Sequence, residues 1–190
     1  MKVDKERAQR AMLEFLRALG HELPSVEETA QRVTDAYADE LLSGYSVDLG
    51  RLIREGSEVI HETLDPVVLD NIFASTVCPH HLLVASGTAL VAYQPGERVL
   101  GLGTVARLVN ACSRRLVLQE QIAQDVVQSL MNEGGAHGAF CRLSLDHACL
   151  QSRGANQPQA TAITWAGRGK FADPSELELV LGRSLTKGSS

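Results

Sequence analysis

The sequence predicts an α+β fold, an antiparallel sheet with its helices on one face, preceded by a helical arm. Three observations predict it. From Val67 onward the strand and helix signals run β-β-α-α-β-β, and consecutive strands followed by consecutive helices give antiparallel pairing rather than alternating parallel units. The stretch from Asp4 to Gly44 carries two helical stripes instead. With 44% hydrophobic and 22% charged residues over 190 positions, the chain can bury one proper core.

Ala8, Met12, Phe15, Leu16 and Leu19 recur at three and four, so Asp4 to Leu19 is expected to form an amphipathic helix closed by Gly20. Ser25-Val26-Glu27-Glu28 has the capping-box form and opens a second helix, with Val33, Ala36, Tyr37 and Leu41 as its buried face and Gly44 as its end. Leu49 to Arg54 reads as a loop or short helix. Val67, Val68, Leu69, Ile72 and Phe73 form a strand that leads into Cys78, and Leu82 to Tyr93 forms another, closed by the turn Gln94-Pro95-Gly96-Glu97. After Gly101-Leu102-Gly103-Thr104 a helix runs through Val105, Leu108 and Val109, and Ser113-Arg114-Arg115 separates it from a longer one, Leu116 to Met131. Ala139 to Leu150 alternates as a strand, Thr161 to Trp165 is the last, and Asp173-Pro174-Ser175-Glu176 opens a terminal helix. The expected organisation is an amino-terminal arm over 1–56, a catalytic domain over 57–172, and a carboxy-terminal helix and polar tail over 173–190.

A net charge of -5 gives no footprint for nucleic acid or a membrane surface. Met1 to Leu19 is charged and helix-patterned, unlike a signal peptide, and no apolar run approaches a membrane span, so the expected location is cytoplasmic. In that compartment Cys78, Cys112, Cys141 and Cys149 stay reduced and serve metal binding or packing.

Two of the four have histidine company. Cys78-Pro79-His80-His81 lies between two expected strands, and Cys149 follows His147 by two residues. Thiolate and neutral imidazole suit Zn²⁺, and three protein ligands leave a fourth position for water, as in a catalytic site. On these residues alone, buried cysteines beside a satisfied core histidine fit equally well.

The order of further motifs carries a resemblance. Thr29-Ala30-Gln31-Arg32-Val33, Leu42-Ser43-Gly44-Tyr45, the cysteine-histidine loop, Val99-Leu100-Gly101-Leu102, Ser113-Arg114-Arg115-Leu116, Gln119-Glu120 and His147-Ala148-Cys149 with Arg153-Gly154 follow one another as in GTP cyclohydrolase I. The chain resembles that family over most of its length, which implies a tunnelling fold. The resemblance implies Zn²⁺ on Cys78, His81 and Cys149, and activated water attacking the purine C8 so that the imidazole ring opens and C8 leaves as formate. It implies His80 as the acid for N7 and His147 as a second proton-transfer group or a partner of the metal ligands. Glu120, with Gln119, would recognise guanine, whose N1–H and 2-amino group form a donor pair that suits a carboxylate. Arg107, Arg153 and Arg32 would hold the triphosphate, Arg32 reaching in from a neighbouring subunit. The partners implied are GTP or a related guanine nucleotide and further copies of the chain, in a decamer of two pentamers with sites at subunit interfaces.

The chain departs from the family at Pro79, where a glutamate is usual, at Gly103, where a serine is usual, and at Thr104, where a lysine is usual. Val84-Ala85 also replaces a common Pro-Phe. Loss of one charge-assisted phosphate bond, roughly 1.5–3 kcal/mol, weakens a substrate about tenfold or more. The competing readings are a paralogue acting on a less phosphorylated or different guanine compound, a zinc-free 7-deazaguanine nitrile reductase with Cys78 as nucleophile, and a non-catalytic purine-binding subunit.

Overall fold

A computed structural model describes residues 3–21 and 26–173. In the arm, α1 (Lys5–Ala18) is capped by Asp4, whose side chain accepts from the Arg7 backbone N–H at 3.0 Å, and Gly20 follows it at φ 86°. Next comes α2 (Val26–Asp35); Ser25, its expected cap, lies outside the described residues. Lys5 at the start of α1 pairs with Asp35 at 3.0 Å and Asp39 at 2.5 Å, so the two helices run antiparallel. The expected single helix to Gly44 is interrupted. Ala36–Leu41 is π-helical and Ser43–Ser46 is a 3₁₀ turn. The wider turn rotates later residues out of the α-helical stripe. Ala36, Tyr37 and Leu41 are therefore only half-buried, as is Val33 within α2, while Val26, Ala30 and Thr34 are buried. Later in the arm, the stretch expected as a loop or short helix is α3 (Leu49–Glu55), capped by Asp48 and anchored in the core by Ile53.

The rest of the chain runs β1 (Ser57–Val59), β2 (Val67–Val77), β3 (Val84–Gln94), β4 (Arg98–Leu100), α4 (Leu102–Ser113), α5 (Gln119–Asn132), β5 (Gly138–His147), α6 (Ala148–Gln151) and β6 (Thr161–Gly169). The four long strands form one antiparallel sheet in the order β2-β3-β5-β6, as expected of the tunnelling fold. The short β1 and β4 pair with each other in a separate ribbon. At three residues each they are too short to show a period in sequence.

Packing of α4 against β2 and of α5 against β5 and β6 places both helices on one face. Ile72, Ala74, Val91, Leu143 and Leu145 meet Val105, Leu108, Val109, Ile122, Val126 and Leu130 there, with Cys112 and Cys141 buried among them. The opposite face leaves Phe73, Ile163 and Trp165 exposed, Trp165 by 68%.

Two boundaries differ from expectation in ways that matter for the site. The long second helix starts at Gln119, not Leu116, because residues 116–118 run as an extended link. The strand expected to reach Leu150 stops at His147, and Ala148-Cys149-Leu150-Gln151 turns helical. Cys149 thus does not share a strand face with His147. The expected carboxy-terminal helix falls beyond Asp173, outside the described residues. Among the described residues, no helix is long and apolar enough to cross a membrane.

Candidate active site

Register brings the site together at one end of the sheet. Val77 pairs with Val84 across the β2–β3 connection, and the next residue of β3, Ala85, pairs with His147 at the end of β5. The connecting loop therefore lies beside the last turn of β5. It is closed by two backbone hydrogen bonds, Cys78 N–H to Leu83 O and Leu82 N–H to Cys78 O, both 2.9 Å, with Leu82 in the left-handed region at φ 56°. The Arg115 carbonyl accepts from Thr76 Oγ1 at 3.1 Å and Val77 N–H at 3.2 Å, which ties the loop to the link before α5. That link delivers Gln119 and Glu120 to the same place.

Cys78 is buried, His81 exposed and Cys149 half-buried, and their ligand atoms all lie within 4.8 Å of one another. Zn²⁺ with bonds of about 2.3 Å to sulfur and about 2.0 Å to nitrogen would hold such a pair about 3.6 Å apart in a tetrahedral site. Cys78 Sγ and His81 Nδ1 are 3.9 Å apart, so a small side-chain rotation suffices. The helical turn at α6 is what aims Cys149 at the loop. His80 Nδ1 is as close to Cys78 Sγ, at 3.8 Å, but the three-residue cluster with Cys149 contains His81 and not His80. Desolvation and the neighbouring Cys78 raise the Cys149 thiol above its ordinary range, and Arg153 is near enough to oppose that rise. A bound cation would reverse the balance, since a coordinating thiol ionises.

The cluster opens on a pocket of about 300 Å³ lined by Cys78, Pro79, His80, His81, Gln119, Glu120, His147, Cys149 and Thr164, among others. Glu120 is exposed in the first turn of α5, where the helix dipole favours its negative charge. Gln119 is buried, and its Oε1 lies 2.7 Å from His147 Nε2. Thr164 was not singled out from the sequence, where it looks like any β-former. Thr164 lines the pocket, and its Oγ1 is buried with no hydrogen-bond partner among the described residues.

The arginines divide. Arg153 is exposed beside Cys149. Arg107 lines a separate hollow with Ser43, Asn110 and Arg114, and its Nη2 donates to Thr104 Oγ1 at 3.1 Å. Arg32 is on the surface of α2, paired with Glu28 at 3.0 Å. Among the described residues, no lysine or arginine lines the pocket. Thr104 is turned into the core, where a Cβ at Gly56 would come within 2.1 Å of its hydroxyl, whereas a Cβ at Gly103 would meet open space.

An antiparallel sheet with both helices on one face, ending in a Cys₂His cluster open to a pocket, agrees with the tunnelling fold expected from the sequence. The sequence profile described as GTP cyclohydrolase I matches residues 8–183. A protein of Leifsonia xyli subsp. xyli named GTP cyclohydrolase 1 is 36% identical over 174 residues, 90% of this chain and 91% of that one. One of the same name from Pelagibacter ubique is 36% identical over 173 residues, 90% of this chain and 85% of its own. The chain belongs to the GTP cyclohydrolase I family. Among solved structures, the archaeosine synthase QueF-like in its apo form aligns at a TM-score of 0.45 and 18% identity, over 57% of this chain and 97% of that one.

Proposed function

We propose that the protein is a zinc-dependent hydrolase that opens the imidazole ring of GTP, releasing formate and forming 7,8-dihydroneopterin triphosphate. The observation that carries this reading is the convergence of Cys78, His81 and Cys149 within 4.8 Å at a pocket that also presents His80, His147 and Glu120. Zn²⁺ bound there would supply Lewis-acid activation of water at neutral pH. Glu120 accepts from guanine N1–H and the 2-amino group and so orients C8 toward the cluster. His80 gives a proton to N7 as the water oxygen bonds to C8, which keeps negative charge from building on the ring. His147 moves a proton in the later C–N cleavage that frees C8 as formate. Gln119 backs this group. Arg153, Arg107 and Arg32 bind phosphate, Arg32 reaching in from a neighbouring subunit as the family resemblance implies. The family resemblance adds a homo-oligomer, a decamer of two pentamers with sites at subunit interfaces, and the composition adds a cytoplasmic location.

Thr104, buried where the family usually has a lysine, favours one second reading, a paralogue that accepts fewer phosphates. One experiment tests both. Zinc-loaded protein is given GTP, GDP, GMP and guanosine, with formate release and pterin fluorescence after oxidation as readouts. Turnover of GTP above the others supports the main reading, and a flat or reversed order supports the second. Neither product from any of the four sinks both.

A further inference from the structure

Gln119 occupies the first position of α5 with 4% of its surface exposed, and its amide is held from two sides. Nε2 donates to the Ala162 carbonyl at 3.0 Å and points its other proton at the Leu143 carbonyl, 3.5 Å away. Both partners are main-chain oxygens of β5 and β6, which only accept. Turning the amide over would set its oxygen against two other oxygens and leave buried polar atoms unpaired. Oε1 is thereby fixed toward His147, 2.7 Å from Nε2.

An amide oxygen has no proton to give. The hydrogen on the His147–Gln119 contact must therefore sit on Nε2, and the opposite ring form would face one lone pair with another at 2.7 Å. We infer that Gln119 is the positioning residue of this site, locking His147 as its Nε2–H tautomer and leaving Nδ1 as the one ring nitrogen with a free lone pair. Among the described residues, Nδ1 has no hydrogen-bond partner. The resemblance to the family gives Gln119 a contact with the substrate instead; here its two donors and the strong position of its acceptor are engaged within the protein. Which nitrogen a histidine offers is set by the bond its other nitrogen makes. The chain of contacts β5 and β6 carbonyls, Gln119, His147 thus turns the rigidity of the sheet into the orientation of one imidazole.

The consequence for turnover rests on the proposed role of His147 in proton transfer, whereas the tautomer does not, so the test reads them separately. Zinc-loaded protein labelled with ¹⁵N-histidine is examined by NMR at pH 8, the His147 signals being assigned by their loss in His147→Asn. A protonated-type Nε2 and an unprotonated-type Nδ1 are expected, and the reverse pattern overturns the inference whether or not the protein turns over GTP. In Gln119→Met, which keeps length and bulk without an acceptor, the two ring forms are expected to mix. The kcat should then fall about 10- to 100-fold, the range for loss of a group that orients a functional histidine, with KM within about twofold and zinc stoichiometry intact. An unchanged ¹⁵N pattern in Gln119→Met, or a raised KM with unchanged kcat, overturns the positioning role and returns Gln119 to substrate binding. Should Gln119→Met fail to fold, the parent spectrum still decides the tautomer, and Gln119→Asn, which withdraws the oxygen by one methylene, decides the dependence.

Discussion

The hydroxyl of Tyr37 donates to the backbone carbonyl of Leu82, joining the amino-terminal arm to the loop that carries Cys78, His80 and His81. Tyr37 belongs to the π-helical turn, whose widened spacing brings its ring out of the α2 stripe. Such turns occur often at functional positions. Leu82 holds a backbone conformation that non-glycine residues seldom adopt, so its carbonyl direction depends on outside support. Tyr37→Phe should cost about 1 kcal/mol of loop order, and the zinc dissociation constant should weaken about fivefold. Competition with a chromogenic chelator measures it; an unchanged constant removes the arm from the metal site.

The cluster makes a selective prediction about cysteines. Cys78→Ala, His81→Ala and Cys149→Ala should each abolish one zinc per chain, because two protein ligands do not hold the ion. Cys141→Ala should keep it, since that thiol lies in the core on the far side of the fold's logic, packed between sheet and helices. Metal analysis after exhaustive dialysis distinguishes them. Zinc retained in Cys149→Ala would remove that residue from the ligand set.

Glu120 stands on the pocket wall, exposed in the first turn of α5. Glu120→Gln presents an amide proton where an acceptor is needed. Two charge-assisted bonds of about 1.5–3 kcal/mol are weakened, and kcat/KM for the guanine substrate should drop at least about 100-fold while zinc stays bound. Steady-state formate release measures this, and a loss under threefold would place guanine recognition elsewhere.

Burial pushes the Cys112 and Cys141 thiols up to about 12, against an ordinary value of 9.0. The folded state keeps these protons over a range in which the unfolded chain has released them. Stability from this source is complete below about pH 9 and is lost as pH rises toward 12. The loss amounts to a few kcal/mol on the order of one pKa unit per 1.36 kcal/mol. The denaturation midpoint of the parent should fall between pH 8 and pH 10.5, and the fall should be shallower in Cys112→Ala. Parallel pH dependence in the two proteins would count against the buried thiol as its source.

Gly56 sits beneath Thr104, and a Cβ there would come within 2.1 Å of Oγ1 and 2.7 Å of Cγ2. Gly56→Ala should destabilise the fold by about 1–3 kcal/mol, the usual cost of overpacking. Gly56→Ala with Thr104→Ala should recover part of that loss in thermal unfolding, and strict additivity would show that the two side chains do not compete for the same space.

Much of this was legible in the residues, for physical reasons. The four long strands and two core helices announce themselves because each is long enough to display a period, as Leu143, Leu145 and His147 do on one face of β5. Thiol and imidazole in close sequence pointed to Cys78, His81 and Cys149 only together with the order of the other motifs, and the fold brings those three ligand atoms within 4.8 Å of one another. What the pattern could not reveal was set by tertiary contacts. Ala148 to Gln151 continues the alternation of β5 on paper, yet the partner strand β6 pairs only as far as Asp146 with Thr161, and beyond that the backbone is released to turn. Gln119 reads as a partner of Glu120 in guanine recognition until the carbonyls of Ala162 and Leu143 are seen to hold its amide. Arg107 and Arg32, to which the resemblance would give phosphate, are not among the residues lining the pocket of a single chain, and periodicity has no means of showing that.

Pro79 stands between a candidate metal ligand and the candidate acid. Its ring fixes its own backbone angle and biases Cys78 before it toward an extended form, the form with which β2 ends. The chain free of metal therefore explores fewer arrangements of this loop than one with glutamate at the same place, and less disorder remains to be removed when an ion is captured. A residue that withdraws a carboxylate from the site thus makes the loop readier to close around its ion.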